Sequence, residues 1–321
     1  MRATLRLLVN LCLLLPAGCV AEPGLAEEPW RRGAGMPTPR SELAAATLDG
    51  LIYVAGGIGR FGTTATFEVY DPVRDAWREL ADLPVALHHL GMAAADGRIF
   101  VTGGYDDITF TPDNAAAWSY DPVAASWTAI AAMPGPRAAH RMAAFDGKLY
   151  VVGGVGAEPQ AIWSYDLESN VWSSNHAPLP TRREHLATAV TDGRLYVLGG
   201  RWEGVGNLAT VEAYDPATDS WTTEPEMPMA RGGFTSAALD SAIHVTGGEA
   251  FDPAATFATH DAFDSAGRRW RTLPAMPTAR HGLDSVAVDD RWYVIGGGTG
   301  AGARTFFTLT DAVEIFTPLA R

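Results

Sequence analysis

The chain has 321 residues, 47% of them hydrophobic and 10% aromatic, with a formal charge of −13. Such a composition supports a sizeable core and excludes disorder over most of the length. The acidic balance excludes nucleic acid, whose backbone needs a concentrated basic surface, and it disfavours attraction to anionic lipid.

From the N-terminus, Arg2 and Arg6 precede an apolar run from Leu7 to Leu15, broken by Asn10, and then the small residues Ala17 and Gly18. This is the pattern of an export signal, and the run is too short for a bilayer span of roughly 20 apolar residues. Leu15-Pro16-Ala17-Gly18-Cys19 resembles the lipobox of bacterial lipoproteins, which implies lipidation at Cys19, although Pro16 departs from the usual Leu. Plain cleavage after Ala21 is the alternative. Either way, export to the cell envelope or beyond is expected. Removing Arg2 and Arg6 takes the formal charge from −13 to −15. Residues 1–19 are read as the signal, 20–29 as a flexible spacer and 30–318 as the folded domain. The two cysteines, Cys12 and Cys19, lie in or at the edge of the signal, so the mature fold contains no internal disulfide and rests on packing and strand pairing.

Beyond the spacer the sequence repeats. Gly-Gly pairs begin at Gly56, Gly103, Gly153, Gly199, Gly247 and Gly296, at gaps of 47, 50, 46, 48 and 49 residues. Each copy starts with small residues, such as Ala44-Ala45-Ala46, which suit an innermost strand where sheets converge. A turn pair follows: Asp49-Gly50, Asp96-Gly97, Asp146-Gly147 and Asp192-Gly193, with Asp240-Ser241 and Asp289-Asp290 in the last two copies. Asp-Gly favours a type I′ hairpin. A continuous apolar run such as Leu51-Ile52-Tyr53-Val54 predicts a strand buried on both faces. After Gly-Gly comes a variable loop, then Tyr70-Asp71, Tyr120-Asp121, Tyr165-Asp166, Tyr214-Asp215 or Phe263-Asp264, each followed six residues after the Asp by Trp77, Trp127, Trp172, Trp221 or Trp270.

Gly-Gly, Tyr-Asp and Trp recurring in that order at a period near 50 resemble the Kelch repeat over about residues 30 to 318. The resemblance implies an all-β, six-bladed propeller. The last copy stops at Glu314-Ile315-Phe316-Thr317-Pro318 without its Trp, and the first begins at Trp30 without its Tyr-Asp. A strand around Trp30 is therefore expected to complete the sixth blade and close the ring.

Variable loop length points to the channel mouth, where the loops after Gly-Gly meet the inter-blade links, as the ligand site. The links carry Arg40, Arg137, Arg183, Arg231 and Arg280, with Leu87 in their place in the second copy. These arginines admit two readings: a ring of guanidinium groups holding a carboxylate or phosphate, or part of the scaffold, bonded to backbone between blades. The loops add Arg60, Tyr105, Arg201, Trp202, Glu249 and Arg304, together with Phe61, Glu203, Phe251, His260 and Phe306, suited to stacking on sugars or gripping peptide side chains. His88, His89, His140, His185 and His281 follow the links; without a firm ligand spacing, and with neighbours His88 and His89 expected on opposite faces of a strand, hydrogen-bonding roles are favoured over metal. His140, His185 and His281 are counted with the mouth. Neither metal nor cofactor is expected: the resemblance to galactose oxidase implies a Tyr–Cys cross-link for copper, and no cysteine follows Cys19.

The reading is a non-enzymatic recognition module at the cell envelope, a monomer that binds a protein, peptide or glycan and meets a membrane only through its lipid anchor. Its rival is a carbohydrate epimerase or mutarotase, because a periplasmic enzyme interconverting sialic acid anomers is a propeller of this family. Glu203, Glu249 or His281 beside Arg183, Arg231 or Arg280 would then supply the acid–base group and the carboxylate clamp. A third reading is an envelope scaffold without a small ligand.

Overall fold

The computed structural model describes residues 28–318; the expected export signal, Cys19 and nearly all of the expected spacer lie outside the described residues. Six antiparallel sheets stand around one axis, and their innermost strands, beginning at Ala44, Gly91, Arg141, Ala187, Gly232 and Asp284, touch in sequence with the last against the first. In the first blade Ala44–Leu48, Leu51–Ala55, Phe67–Asp71 and Ala76–Glu79 run from the axis outward. The fifth blade adds Ala254–Thr256 beside its long second strand.

Each element follows from its residues. Asp49 and Gly50 both take positive φ, 51° and 74°, the conformation a type I′ turn requires. Asp240 and Ser241 adopt the same geometry without glycine, at 49° and 58°. The apolar second strands are buried on both faces, as Ile52, Tyr53, Val54 and Ala55 show. At Gly56, with φ +61°, an added Cβ would lie 2.3 Å from the Leu87 carbonyl oxygen of the next inter-blade link, so the close approach of adjacent blades excludes a side chain.

The aromatic pair ties neighbouring blades together. Tyr70 and Trp77 sit opposite each other on paired strands, ring centroids 5.1 Å apart, and Trp77 Nε1 donates to the carbonyl of Ala34 outside its own blade. Trp127, Trp172, Trp221 and Trp270 donate likewise to Ala81, Ala131, Ala177 and Pro225. The sixth blade is completed from the other end of the chain: Trp30–Arg32 pairs antiparallel with Val313–Phe316, Trp30 opposite Phe316. Trp30 thus fills the tryptophan position of that blade, 5.2 Å from Phe316, and its Nε1 donates to Pro274 O at 2.8 Å. Trp30→Ala should cost about 3–5 kcal/mol in urea unfolding; a loss under about 1 kcal/mol would show that the ring does not depend on this closure.

The link arginines belong to the scaffold. Arg40, Arg137, Arg183, Arg231 and Arg280 are all 0% exposed, so the guanidinium ring considered for the mouth does not form there. Arg40, Arg183, Arg231 and Arg280 pair with Glu68, Glu212, Asp261 and Glu314, the residue two places before each blade's Tyr or Phe, and donate to backbone carbonyls such as Val54, Thr210, Gly247 and Val294. Where that acid is Trp163, Arg137 stacks on the indole at 3.5 Å and donates to three carbonyls. Where it is Trp118, the arginine becomes Leu87, in the same apolar cluster. Arg280→Met would leave Glu314 buried without its main counter-charge, so a destabilisation of about 3–5 kcal/mol is expected in the same unfolding assay. A near-neutral result would contradict the scaffold role.

His140 also lies inside the scaffold rather than in the mouth. It occupies the position held by Leu43, Leu90, Leu186 and Leu283 in other blades, is 3% exposed, and meets Thr102 Oγ1 through Nε2 at 3.0 Å. Burial pushes its pKa down to about 3, with Arg137 and Arg141 adding to the effect. The unfolded chain therefore binds a proton between about pH 6.5 and 3 that the folded chain refuses, and this contribution to stability is lost as pH falls through that window. His140→Leu should reduce the acid-side slope of stability against pH by up to about 1.4 kcal/mol per unit. An unchanged slope would mean that this histidine titrates normally in the fold.

Candidate functional site at the channel mouth

Two residues beyond each link arginine, or beyond Leu87, the chain reaches the axis. Glu42, His89, Ala139, His185, Gly233 and Gly282 stand at this position, and all six take φ between 51° and 66°. Their peptide groups form one closed circle. His89 N donates to Glu42 O, Ala139 N to His89 O, His185 N to Ala139 O, Gly233 N to His185 O, Gly282 N to Gly233 O and Glu42 N to Gly282 O, at 2.6–3.1 Å. The residue just before each of these bridges to the residue just after Gly-Gly: Ser41 to Ile58, His88 to Tyr105, Ala138 to Val155, Glu184 to Arg201, Gly232 to Glu249 and His281 to Gly298. These two offsets decide which side chains crown the axis.

Above the circle opens a cavity of about 450 Å³. Tyr105, Phe110, Trp202, Phe251 and Phe306 form much of its wall, while Glu42, His89, Glu184, His185, Arg201, Glu249 and His281 gather the polar groups. Arg201 donates through Nε to Glu184 at 2.7 Å and through Nη1 to Glu249 at 2.5 Å, with Phe251 beneath its guanidinium at 4.7 Å. Glu249 also accepts from Gly302 N at 2.7 Å and lies 3.3 Å from His281 Nδ1. Below the circle the channel is crossed by Arg141, 2.9 Å from Asp284.

Burial dominates the titration of this site. Glu42 is raised to about 7 by desolvation and by Glu249, against the pull of Arg201 and Arg141. His89 and His185 are held well below their usual range by burial first, and then by neighbours that include Arg201. Both imidazoles are thus neutral at pH 7. His89 Nε2 and His185 Nε2 lie 2.9 Å apart, and Glu42 Oε2 lies 3.2 Å from the former; the three potential ligand atoms fall within 4.8 Å of one another.

Of the residues expected at the mouth, Tyr105, His185, Arg201, Trp202, Glu249 and His281 line this cavity, as do Glu203, Phe251 and Phe306. Arg60 and Arg304 are exposed outside it; Arg60 stands beside Phe61 on a separate groove of the rim. His260 is in the core between blades, bonded to His244 Nδ1 at 2.8 Å. Glu42, Glu184 and Phe110 were not anticipated. His89 was assigned away from its neighbour, yet the positive φ of His89 turns its ring onto His88, Nδ1 to Nδ1. The offset of two from the link arginine is the signal that locates Glu42, His89 and His185 in the sequence.

Comparison with known proteins agrees with the architecture. The KLHDC2/KLHL20/DRC7 Kelch-repeats domain matches residues 131–297, and the Kelch motif matches residues 39–84 and 86–134. Kelch-like protein terF of Aspergillus terreus is 38% identical over 88 residues, 27% of this chain and 19% of that protein; Kelch-like protein 35 of Mus musculus is 33% identical over 89 residues, 28% of this chain and 15% of that protein. The matched segment thus spans less than a fifth of either relative. A solved structure, "Structure of YjhT", superposes with a TM-score of 0.73 at 17% identity, covering 88% of this chain and 96% of that one. The chain belongs to the Kelch-repeat family, and its six blades form a Kelch propeller, an architecture typically used for protein interaction.

Proposed function

We propose that the chain is an exported recognition module whose axial cavity takes one sugar unit of a glycan. The observation that carries this reading is the cavity itself: about 450 Å³, standing over the peptide circle, aromatic on its walls and polar on its floor. Flat aromatic faces pack against the apolar faces of a pyranose, while carboxylates and a guanidinium held in place by their own bonds bind hydroxyls. Arg201 is already held by Glu184 and Glu249, and the link arginines are buried, so among the described residues no guanidinium lining the cavity is free to clamp an anionic sugar. A neutral or cationic sugar fits this floor. Export, with an anchor at Cys19, is part of the same proposal and places the cavity where glycans are exposed.

A second reading rests on Glu42, whose pKa near 7 suits a general acid or base and which lies 3.6 Å from His281 Nδ1. It supports exchange between anomers of a neutral sugar rather than of an acidic one. The arginine–acid pairs expected from the sequence for an acidic sugar do not assemble, because Arg183, Arg231 and Arg280 point into the scaffold.

A panel of envelope and extracellular glycans and peptides, probed with the mature chain, tests the proposal. Binding of a neutral or amino sugar should fall at least about tenfold in Trp202→Ala and Phe251→Ala and hold in Phe61→Ala, since each stacking face contributes on the order of 1 kcal/mol or more. Retention of peptides alone, or binding indifferent to Trp202, would overturn it. For the retained sugar, NMR exchange rates that rise with wild-type protein and not with Glu42→Gln would transfer the assignment to catalysis.

A further inference from the structure

We propose that Glu42, His89 and His185 form a binding site for one divalent first-row transition-metal ion of the zinc type, with a coordination position open to the cavity. The proposal goes beyond the sugar reading and does not rest on it. It also departs from the sequence expectation that these histidines only form hydrogen bonds.

The hydrogen-bond network fixes where the protons are. His88 Nε2 lies 2.8 Å from Asp107 O, a carbonyl that can only accept, so Nε2 carries the proton and His88 Nδ1 is an acceptor. His89 Nδ1 meets that acceptor and must donate to it, which leaves His89 Nε2 with a bare lone pair. On the other side, the Glu184 carboxylate lies against His185 Nδ1, a charge contact rather than an aligned hydrogen bond, and its negative charge favours the proton on that nitrogen, which leaves His185 Nε2 bare as well. Two lone pairs therefore face each other at 2.9 Å, with a carboxyl oxygen of Glu42 3.2 Å from one of them. Such an arrangement is relieved either by a proton on Glu42 or by a cation at its centre, and a cation satisfies all three atoms at once.

The spacing and chemistry suit zinc. Ligand atoms at about 2.0–2.1 Å from a tetrahedral ion lie about 3.3 Å apart, near the 2.9 Å between the two imidazoles and the 3.2 Å from His89 to Glu42, with all three atoms within 4.8 Å of one another. Two neutral imidazoles and one carboxylate are a borderline donor set that favours such an ion over calcium or magnesium. Each histidine has its outer nitrogen held, one by a carboxylate and one by a second imidazole, the supporting arrangement typical of metal-bound histidines. Around the trio, Glu42, Glu184, Glu249 and Asp284 stand against Arg201 and Arg141, so once Glu42 has given up its proton four carboxylates face two guanidiniums and a dipositive ion balances them. The backbone has room for it too. Ala139 lies between His89 and His185 on the circle, and its small side chain lets the two rings meet above it.

Calorimetric titration of the chelator-treated full chain with zinc chloride, alongside cobalt(II) absorption spectra, tests the site without any sugar present. One ion per chain should bind, cobalt should give the intense visible bands of a four- or five-coordinate centre, and thermal unfolding should shift upward with zinc. His89→Ala/His185→Ala should weaken binding at least about 100-fold, and Glu184→Gln, a positioning change, about 10–100-fold. His244→Asn, in the separate buried histidine pair, should leave it unchanged. Circular dichroism of each variant separates lost ligands from lost fold. Where the double variant fails to fold, Glu184→Gln and the wild-type cobalt spectrum decide the matter. Wild-type binding weaker than about 10 µM, octahedral cobalt bands, or folded variants that bind like wild type would overturn the proposal. None of these outcomes bears on whether a sugar is retained.

Discussion

Six peptide bonds linked N–H to carbonyl around the axis are the constraint on which the rest of the molecule depends. Each blade must bring one residue to the axis, at one height, in the left-handed region, for the circle to close. That region costs a residue with a side chain on the order of 1 kcal/mol, yet Glu42, His89, Ala139 and His185 all occupy it. The circle narrows the channel below the mouth and gives the cavity its floor. It also converts sequence position into height: the polar residues that line the cavity, Glu42, His89, Glu184, His185, Arg201, Glu249 and His281, all stand one or two places beyond a link position or just after Gly-Gly.

The same short segment thus carries two jobs at neighbouring positions. The arginine points outward between blades and satisfies carbonyls that strand pairing leaves open, with an acidic partner in four blades, a tryptophan in one and a leucine substitute in another. Two residues later the chain points a side chain at the axis. Regularity of the first position makes variability of the second affordable, since the blades stay registered whatever the floor residue is. Glycine at Gly233 and Gly282 and alanine at Ala139 leave the space that the two histidines and Glu42 use; a Cβ on Gly282 would lie 2.6 Å from Glu42 Oε1.

Low dielectric and crowding of charge then set the chemistry of the floor. Carboxylates from different blades approach one another because one guanidinium, Arg201, bridges two of them. Desolvation drives the imidazoles toward neutrality and Glu42 toward protonation, so beside the ion pairs of Arg201 the floor offers a ligand two neutral imidazoles and a carboxyl that can give or take a proton. The aromatic wall above belongs to the loops after Gly-Gly and to the 3-10 turn Gly302–Phe307, segments whose length differs from blade to blade.

The sequence by itself determined the number of blades, their strand order, the type I′ turns and the closure through Trp30, because those features rest on local turn chemistry and on a periodicity that any six copies must obey. It also marked Tyr105, Arg201, Trp202 and Glu249, since the residues just after Gly-Gly stand at the start of visibly variable loops. Only the tertiary structure decided the fate of the arginines and the histidines. Whether a guanidinium faces the axis or the gap between blades depends on a partner some 28 to 34 residues away, as with Arg40 and Glu68 or Arg280 and Glu314. Likewise, alternation along an assumed strand separates His88 from His89, whereas the positive φ demanded by the axial circle brings them together. That demand arises from all six blades at once and is written in no single repeat.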